Sequence, residues 1–295
     1  MMGYDYVIAD LRMRSNCDLG ALGLCGFRPF AQPQGGEADC SLRITEGNEL
    51  AKVTTTAELS SSYLAEADAY GRLYRTQQGY LYSISASCGD TLVRFHVDIS
   101  TKDIVAEMGS KCGVAQLRFG LWIMFGVVLA LHGGIAFHSS AIECGGKVVL
   151  FLGESGTGKS THTRLWRENI EEAHLLNDDS PIVRIVNGEI IAYGSPWSGK
   201  TPCYKNLSYP VAAFCRLSQA SENRISRLTT IAALGALLPS TPPQFAHDAV
   251  LQDSICSTLG ELLRRVPVFH LACLPDASAA RLVYETIIKD ETGAR

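Results

Sequence analysis

A chain of 295 residues with 46% hydrophobic and 19% charged side chains has the composition of a globular protein, long enough for one large domain or two modest ones. Its formal net charge of −4 supplies no overall basic field, which argues against nucleic acid as the partner. Ten cysteines, at 17, 25, 40, 88, 112, 144, 203, 215, 256 and 273, form neither a CxxC pair nor a zinc-type spacing, so they read as reduced thiols of a cytoplasmic protein. The opening MMGYDYVIADLRMR lacks the basic-then-apolar order of a signal peptide.

Up to about residue 112 the chain is rich in short β-like pieces between turns. YDYVIADLRMR, ADCSLRITEG, YLYSISASCG and TLVRFHVDIS carry the β-branched and aromatic residues of strands. TTTAELSSSYLAEADAYG is expected to be partly helical or an exposed connection. A helix follows over Val114 to Leu131. Its uncharged run, Phe119 to Leu131, is thirteen residues, short of the roughly 18–20 that span a bilayer, so a buried helix is expected and no membrane span.

Next comes GGKVVLFLGESGTGKSTHTRLWREN: a turn at Gly145-Gly146, the buried strand KVVLFL, and a helix from Gly158 or Lys159. AHLLND reads as a strand, PIVRIVNGEIIAYG as a hairpin about Asn187-Gly188, and YPVAAFCRLSQ as a further strand. TTIAALGALL is a helix, and TPPQ is expected to cap a second helix running to about Arg265. VPVFHLACL returns as a strand, and DASAARLVYETIIK closes as a helix capped by Asp276. Strands and helices mix without strict βαβ alternation, so the expectation is an α/β domain with a mixed sheet. The division expected is a mostly β (α+β) domain over 1–112, a connecting buried helix over 113–135, and a phosphate-binding domain over 136–295.

Gly153-Glu154-Ser155-Gly156-Thr157-Gly158-Lys159-Ser160 satisfies the Walker A pattern G-x-x-x-x-G-K-[ST] in full, with a strand before it and a helix after. Glycines turn successive N–H groups toward one point, and the helix start adds its positive end. Lys159 supplies a charge for the β- and γ-phosphates of ATP, and Ser160 a hydroxyl for Mg²⁺. These eight residues and Thr161 are the expected nucleotide contacts.

Asn177-Asp178-Asp179 follows only eighteen residues after Lys159, at a strand end where alternate side chains face opposite ways. Two adjacent carboxylates can divide the work, one on the metal and one on an acceptor. Repulsion and burial would raise the proton affinity of one, as a general base requires.

GESGTGKST, the short helix, LLNDD, and His138 in AFHSSAI together resemble the HPr kinase/phosphorylase and phosphoenolpyruvate carboxykinase superfamily over about residues 132–215. YGSPWSGK and YKNLSYPVAAFCRLSQASENRISRL look more like the HPr-kinase-like serine kinases of bacterial peptide-modification clusters. The resemblance implies Asp178 as base on an acceptor hydroxyl, His138 holding or tuning it, and Asp179 with Ser160 on the metal. Ser180-Pro181 replaces the histidine-containing segment that follows the aspartates in carboxykinases, and the N-terminal domain of the HPr enzymes is not recognisable.

In the loop Gly194 to Lys200, Lys200 is a candidate contact to the transferring phosphate and Trp197 a candidate wall of the acceptor pocket. Arg164 and Arg167 read as a solvated helix face, and no spacing supports Arg216, Asn223, Arg224 or Arg227. His132, His162, His174, His247 and His270 receive no role. The expectation is therefore an ATP- and Mg²⁺-dependent kinase acting on a hydroxyl, of serine above all, in a peptide, protein or small molecule. A carboxykinase-type enzyme and a nucleotide-sensing module without turnover are the alternatives, and a homo-oligomer is left open.

Overall fold

The computed structural model describes residues 3–199 and 201–289, and it divides into two compact units. Lys200 lies outside the described residues. The first unit comprises 1–132 with 244–253, the second 133–243 with 254–295. Each is built on a large sheet, so the chain is mixed α/β.

In the first unit the strands are β1 (Tyr4–Ile8), β2 (Leu11–Ser15), β3 (Ala31–Gln32), β4 (Cys40–Thr45), β5 (Thr55–Leu64), β6 (Ala69–Thr76), β7 (Gly79–Ser85), β8 (Thr91–Asp98) and β9 (Asp103–Met108). They lie in the order β3-β1-β2-β4-β9-β8-β7-β6-β5. Only β2–β4 and β4–β9 are parallel. YDYVIADLRMR is a hairpin rather than one piece, turned at Ala9 and Asp10, whose φ values of 51° and 59° are those of a tight strand connection. Within TTTAELSSSYLAEADAYG, expected to be partly helical or an exposed connection, Thr55–Leu64 form β5 and Ala65–Ala67 coil into a 3₁₀ turn. Antiparallel pairing with β6, including Tyr63 opposite Tyr70, satisfies its backbone and overrides local preference.

Helix α1 (Val114–Leu131) lies on β7 and β8. It is long and apolar enough to cross a membrane by length and composition, with a mean hydropathy of 1.9, and 61% of it is buried. The thirteen-residue count had left out the first turn and a half, which includes Arg118.

The second unit contains β10 (Gly134–Ala136), β11 (Ser139–Cys144), β12 (Lys147–Leu152), α2 (Lys159–Asn169), β13 (His174–Asp179), β14 (Ile182–Val186), β15 (Glu189–Tyr193), β16 (Ser208–Gln219), β17 (Arg224–Arg227) and α3 (Thr230–Leu237). Helix α4 (Ala249–Arg265) starts in the first unit's second segment and continues into the second unit. Strand β18 (Val268–Cys273) and helix α5 (Ala277–Val283), widening to π-type turns over Tyr284–Lys289, complete it. The order is β10-β14-β15-β16-β12-β11-β13, with β18 on β16 and β17 on β18. Parallel pairing joins β12 to β16 and β16 to β18, while β11 runs antiparallel to both β12 and β13.

TPPQ does not open a long helix. The Thr241 hydroxyl donates to Leu238 O at 2.8 Å, closing the turn that follows α3. Pro243–Phe245 form a single 3₁₀ turn, and α4 begins only at Ala249, where Asp248 accepts from the Leu251 N–H at 3.0 Å. The Asp276 cap forms as read, accepting from the Ala279 N–H at 3.0 Å. Asn187 and Gly188, at φ 50° and 81°, make the hairpin turn between β14 and β15.

Trp166 of α2 is fully buried against Phe151 of β12, with ring centroids 5.6 Å apart, and against Tyr284 at 6.1 Å. Leu175, Cys215, Leu217, Leu271 and Val283 fill the same core. A side chain of this size stabilises the fold by about 1.5–3 kcal/mol or more on burial, which fixes α2 against the strand that feeds it.

Candidate active site

The apolar run KVVLFL makes β12 a fully covered strand, and the chain turns abruptly where the run ends. Gly153 has φ 150°, and a Cβ there would stand 2.5 Å from Thr157 Oγ1, so the tight loop requires glycine. Gly158, at φ 102°, occupies the N-cap of α2 without a side-chain cap, leaving the first-turn N–H groups for a ligand. Thr157 braces the loop by donating its hydroxyl to Glu154 O at 2.8 Å. Lys159 Nζ donates to Gly153 O at 2.7 Å and Glu154 O at 3.2 Å, so the ammonium is held across the loop.

Strand register brings the aspartates to this loop. Ser140 of β11 lies opposite both Phe151 of β12 and Asp178 of β13, and Ser139 lies opposite both Leu152 and Asp179. Because β12 and β13 both run antiparallel to β11, their carboxyl ends coincide. The carboxylates therefore sit one intervening strand from the loop.

Asp178 is 4% exposed, yet no cation is bonded to it in the described contacts. Its Oδ1 accepts from Ser140 Oγ at 2.6 Å and from Ser160 Oγ at 3.2 Å. Ser160, expected to share the metal with Asp179, is hydrogen-bonded to Asp178, which alternation along β13 turns toward the first turn of α2. Asp179 is half-buried and makes a bridge with Ser198 of the following loop. Asn177, fully buried, reaches that loop too, donating to Trp197 O at 2.9 Å and receiving the Ser180 N–H at 2.8 Å. The residue before the pair thus fixes the end of the strand.

His138 precedes β11 and is exposed, its N–H bonded to Ser240 O at 2.8 Å. Desolvation by its surroundings, then the Lys159 charge, hold the imidazole below its ordinary pKa, while Asp179 acts the other way. Burial lowers Lys159 from its ordinary value, opposed by Asp179 and then Asp178. These opposed influences place His138, Lys159 and Asp179 within one electrostatic neighbourhood.

Beside the loop opens a cleft of 360 Å³. Gly156, Thr157, Gly158 and Thr161 form one wall, and Leu217, Gln219, Leu274 and Pro275 help form the rest. Gln219 Nε2 donates to Gly156 O at 3.4 Å. At the base, burial lowers the His162 pKa to about 4, and its neutral Nε2 accepts from Trp166 Nε1 at 3.1 Å.

Trp197 is buried, 5% exposed, and packs within the unit. Arg164 pairs with Glu168 at 2.8 Å on an exposed face. Asn223 bridges Asp276 and Ser278 at the start of α5, a structural task. Sequence reasoning passed over Ser140, although it lies two residues past His138 in the same strand-like stretch. It also passed over Leu217 and Gln219, whose strand end carries no motif.

Among the described residues no three His, Cys, Asp or Glu side chains gather as a metal cluster. Mg²⁺ on a nucleotide needs less: one hydroxyl and one or two carboxylates beside the phosphates, all hard oxygen donors. Ser160, Asp178 and Asp179 fit that donor set.

No family model matches the chain, and no curated protein matches it. Among solved structures the chain is similar to the HPr(Ser) kinase/phosphatase from Coxiella burnetii. That likeness has 12% identity and a TM-score of 0.29, covering 53% of this chain and 90% of the other.

Proposed function

We propose that the second unit binds ATP at the glycine-rich loop and transfers its γ-phosphate to a hydroxyl. The observation that carries this reading is the buried Asp178 carboxylate, bonded to the loop hydroxyl of Ser160 and to Ser140, with no cation hydrogen-bonded to it among the described residues. A carboxylate kept at a phosphate loop with hydroxyl partners alone is arranged for a metal–phosphate ligand.

Lys159 and the first-turn N–H groups of α2 neutralise the phosphate oxygens. Ser160 and Asp178 would hold Mg²⁺, which would supply positive charge against the phosphate oxygens. Asp179, beside His138, receives the acceptor proton as the acceptor oxygen bonds to the γ-phosphorus and the bond to the bridging oxygen breaks. ADP leaves with that bridging oxygen. The adenine end takes the cleft beside Gly156, against Leu217, Gln219 and Leu274. A serine hydroxyl, on a peptide, protein or small molecule, is the acceptor in this reading.

The test is ADP release and phosphoryl transfer from MgATP across seryl peptides, free serine and small alcohols. Turnover abolished by Asp179→Asn with ATP binding intact supports the kinase. ATP binding without turnover on any acceptor, unchanged in Asp178→Asn and Asp179→Asn, establishes a nucleotide-sensing module instead.

A further inference from the structure

The end of β16 divides its side chains between the two faces of the second unit's sheet. Leu217 and Gln219 line the cleft beside the glycine-rich loop, so the alternate residues Arg216 and Ser218 point to the opposite face. Strand register sets Arg216 in one row across six strands: Asp179 of β13, Ser139 of β11, Leu152 of β12, Arg216 of β16, His270 of β18 and Ser226 of β17. Residues directly opposite one another share a face, so the row lies on the side of Asp179, away from Asp178, α2 and the cleft.

The far end of this row is basic and open to solvent. Arg216, His270 and Ala272 are half-buried, and Arg224 and Ser226 are exposed. Ser218 and Arg224 lie opposite Ala272 on its two sides, so the arginines flank a floor that carries only a methyl group. Ser218 Oγ and His270 Nε2 bond to each other at 2.9 Å, which fixes the imidazole there. Among the described residues the side chains of Arg216 and Arg224 have neither an ion pair nor a hydrogen bond. Arg12, Arg14, Arg75 and Arg94, also half-buried, each hold a carboxylate. A half-buried guanidinium with no counter-charge is available to one that arrives with a ligand.

We propose that Arg216 and Arg224 hold a carboxylate of the phosphate acceptor, which is then a seryl peptide with an acidic group two or three residues from its serine. This rests on the kinase reading, in which Asp179 takes the acceptor proton. At about 4.8 Å between neighbouring strands, Asp179 and Arg216 stand about 14 Å apart along the row. The reach of the two side chains shortens that span to two or three residues of extended peptide, at about 3.3 Å each. Ser139 and Leu152, fully buried between them, form the floor that the peptide crosses. Free serine, with its carboxylate on the carbon next to the one bearing the hydroxyl, is too short.

The carboxylate has two sources, an acidic side chain or the free C-terminus of the peptide. Both offer the planar pair of oxygens that a guanidinium binds with two parallel N–H donors. An amide of the same shape lacks the charge, so glutamine in place of glutamate isolates the electrostatic part of the contact.

The test is calorimetry on the full chain in the presence of MgADP, with short blocked alanine peptides that carry one serine. Two have glutamate three residues before or after the serine, two have glutamine there, and one ends in a free carboxylate at that distance. The better glutamate peptide is expected to bind at least tenfold more tightly than its glutamine counterpart. Arg216→Gln is expected to bring that ratio near one and Arg224→Gln to lower it severalfold, with MgADP affinity kept. Arg224→Gln, at an exposed position, carries the test if Arg216→Gln does not melt cooperatively. An equal gain from the free C-terminus identifies the chain end as the source, and no gain identifies the side chain. Equal binding of the glutamate and glutamine peptides, a preference that survives both substitutions, or no saturable binding overturns the proposal. Turnover is read separately with MgATP. A glutamate preference lost in Arg216→Gln, with no phosphoryl transfer to any peptide, supports the acidic-peptide site and removes the kinase reading.

Discussion

The two units bury carboxylates in opposite ways. In the first, Asp5 is 2% exposed and is gripped by Arg14 at 2.8 Å, by Arg12 at 2.9 Å and by the Gly35 N–H at 3.2 Å. Asp248 there accepts from the Tyr80 hydroxyl at 2.6 Å and from Arg75 at 3.1 Å while capping α4. In the second, Asp178 is as deeply placed, but among the described residues its side chain bonds two serine hydroxyls and no guanidinium. A buried carboxylate with its own guanidinium is part of the scaffold. One satisfied by hydroxyls that can rotate away is set up for an incoming cation.

The largest effects should break that comparison at the level of rate. Lys159→Ala and Asp178→Asn are each expected to lower phosphoryl transfer by about a thousandfold, the scale of losing a preorganised charge partner. Asp5→Asn should leave the rate per folded molecule unchanged. Steady-state ADP production on purified variants measures all three.

Stability should show the reverse order. Asp5→Asn breaks an ion-pair group and is expected to cost about 3 kcal/mol, read as a lower urea midpoint. Asp178→Asn should cost under about 1 kcal/mol or stabilise, since it removes a buried charge that no guanidinium grips among the described residues. The pH dependence sharpens the point. Arg14 first, with help from Gly35 and Arg12, holds the Asp5 carboxyl well below the usual carboxylate range, against the opposing effect of burial. Its contribution is therefore complete above the unfolded value of about 4 and is lost as pH falls through the lower folded value. Acid denaturation curves of the Asp5→Asn protein should lack that part of the slope.

Smaller effects concern the cleft and the histidine. Gln219→Ala removes the bond to Gly156 O and is expected to weaken ATP about fivefold, near 1 kcal/mol. The His138 imidazole, followed by NMR, should titrate below 6.5, and Lys159→Met should move its midpoint upward by removing the nearby positive charge.

How much of this could be read from the chain depends on how local the chemistry is. The glycine-rich loop packs its requirements into eight consecutive residues, and strand, loop and helix all form where the pattern puts them. LLNDD was equally legible as a strand end. What could not be read was register. Ser140 reaches Asp178 only because β11 pairs with β13, a contact spanning 38 residues. The cleft walls at Gln219 and Leu274 come from strand ends far along the chain with no motif of their own. TPPQ misled because its capping chemistry is real, but the Thr241 hydroxyl turns back to Leu238. TTTAELSSSYL misled because pairing with β6, not local propensity, decides it.

The central claim is that Ser160 and Asp178 hold a metal on a loop-bound triphosphate. Calorimetric titration of ATP into the full chain, with and without Mg²⁺, tests it most directly. Mg²⁺ is predicted to tighten ATP at least tenfold in the wild-type chain and to have little effect in Asp178→Asn. Equal tightening in both would contradict the account.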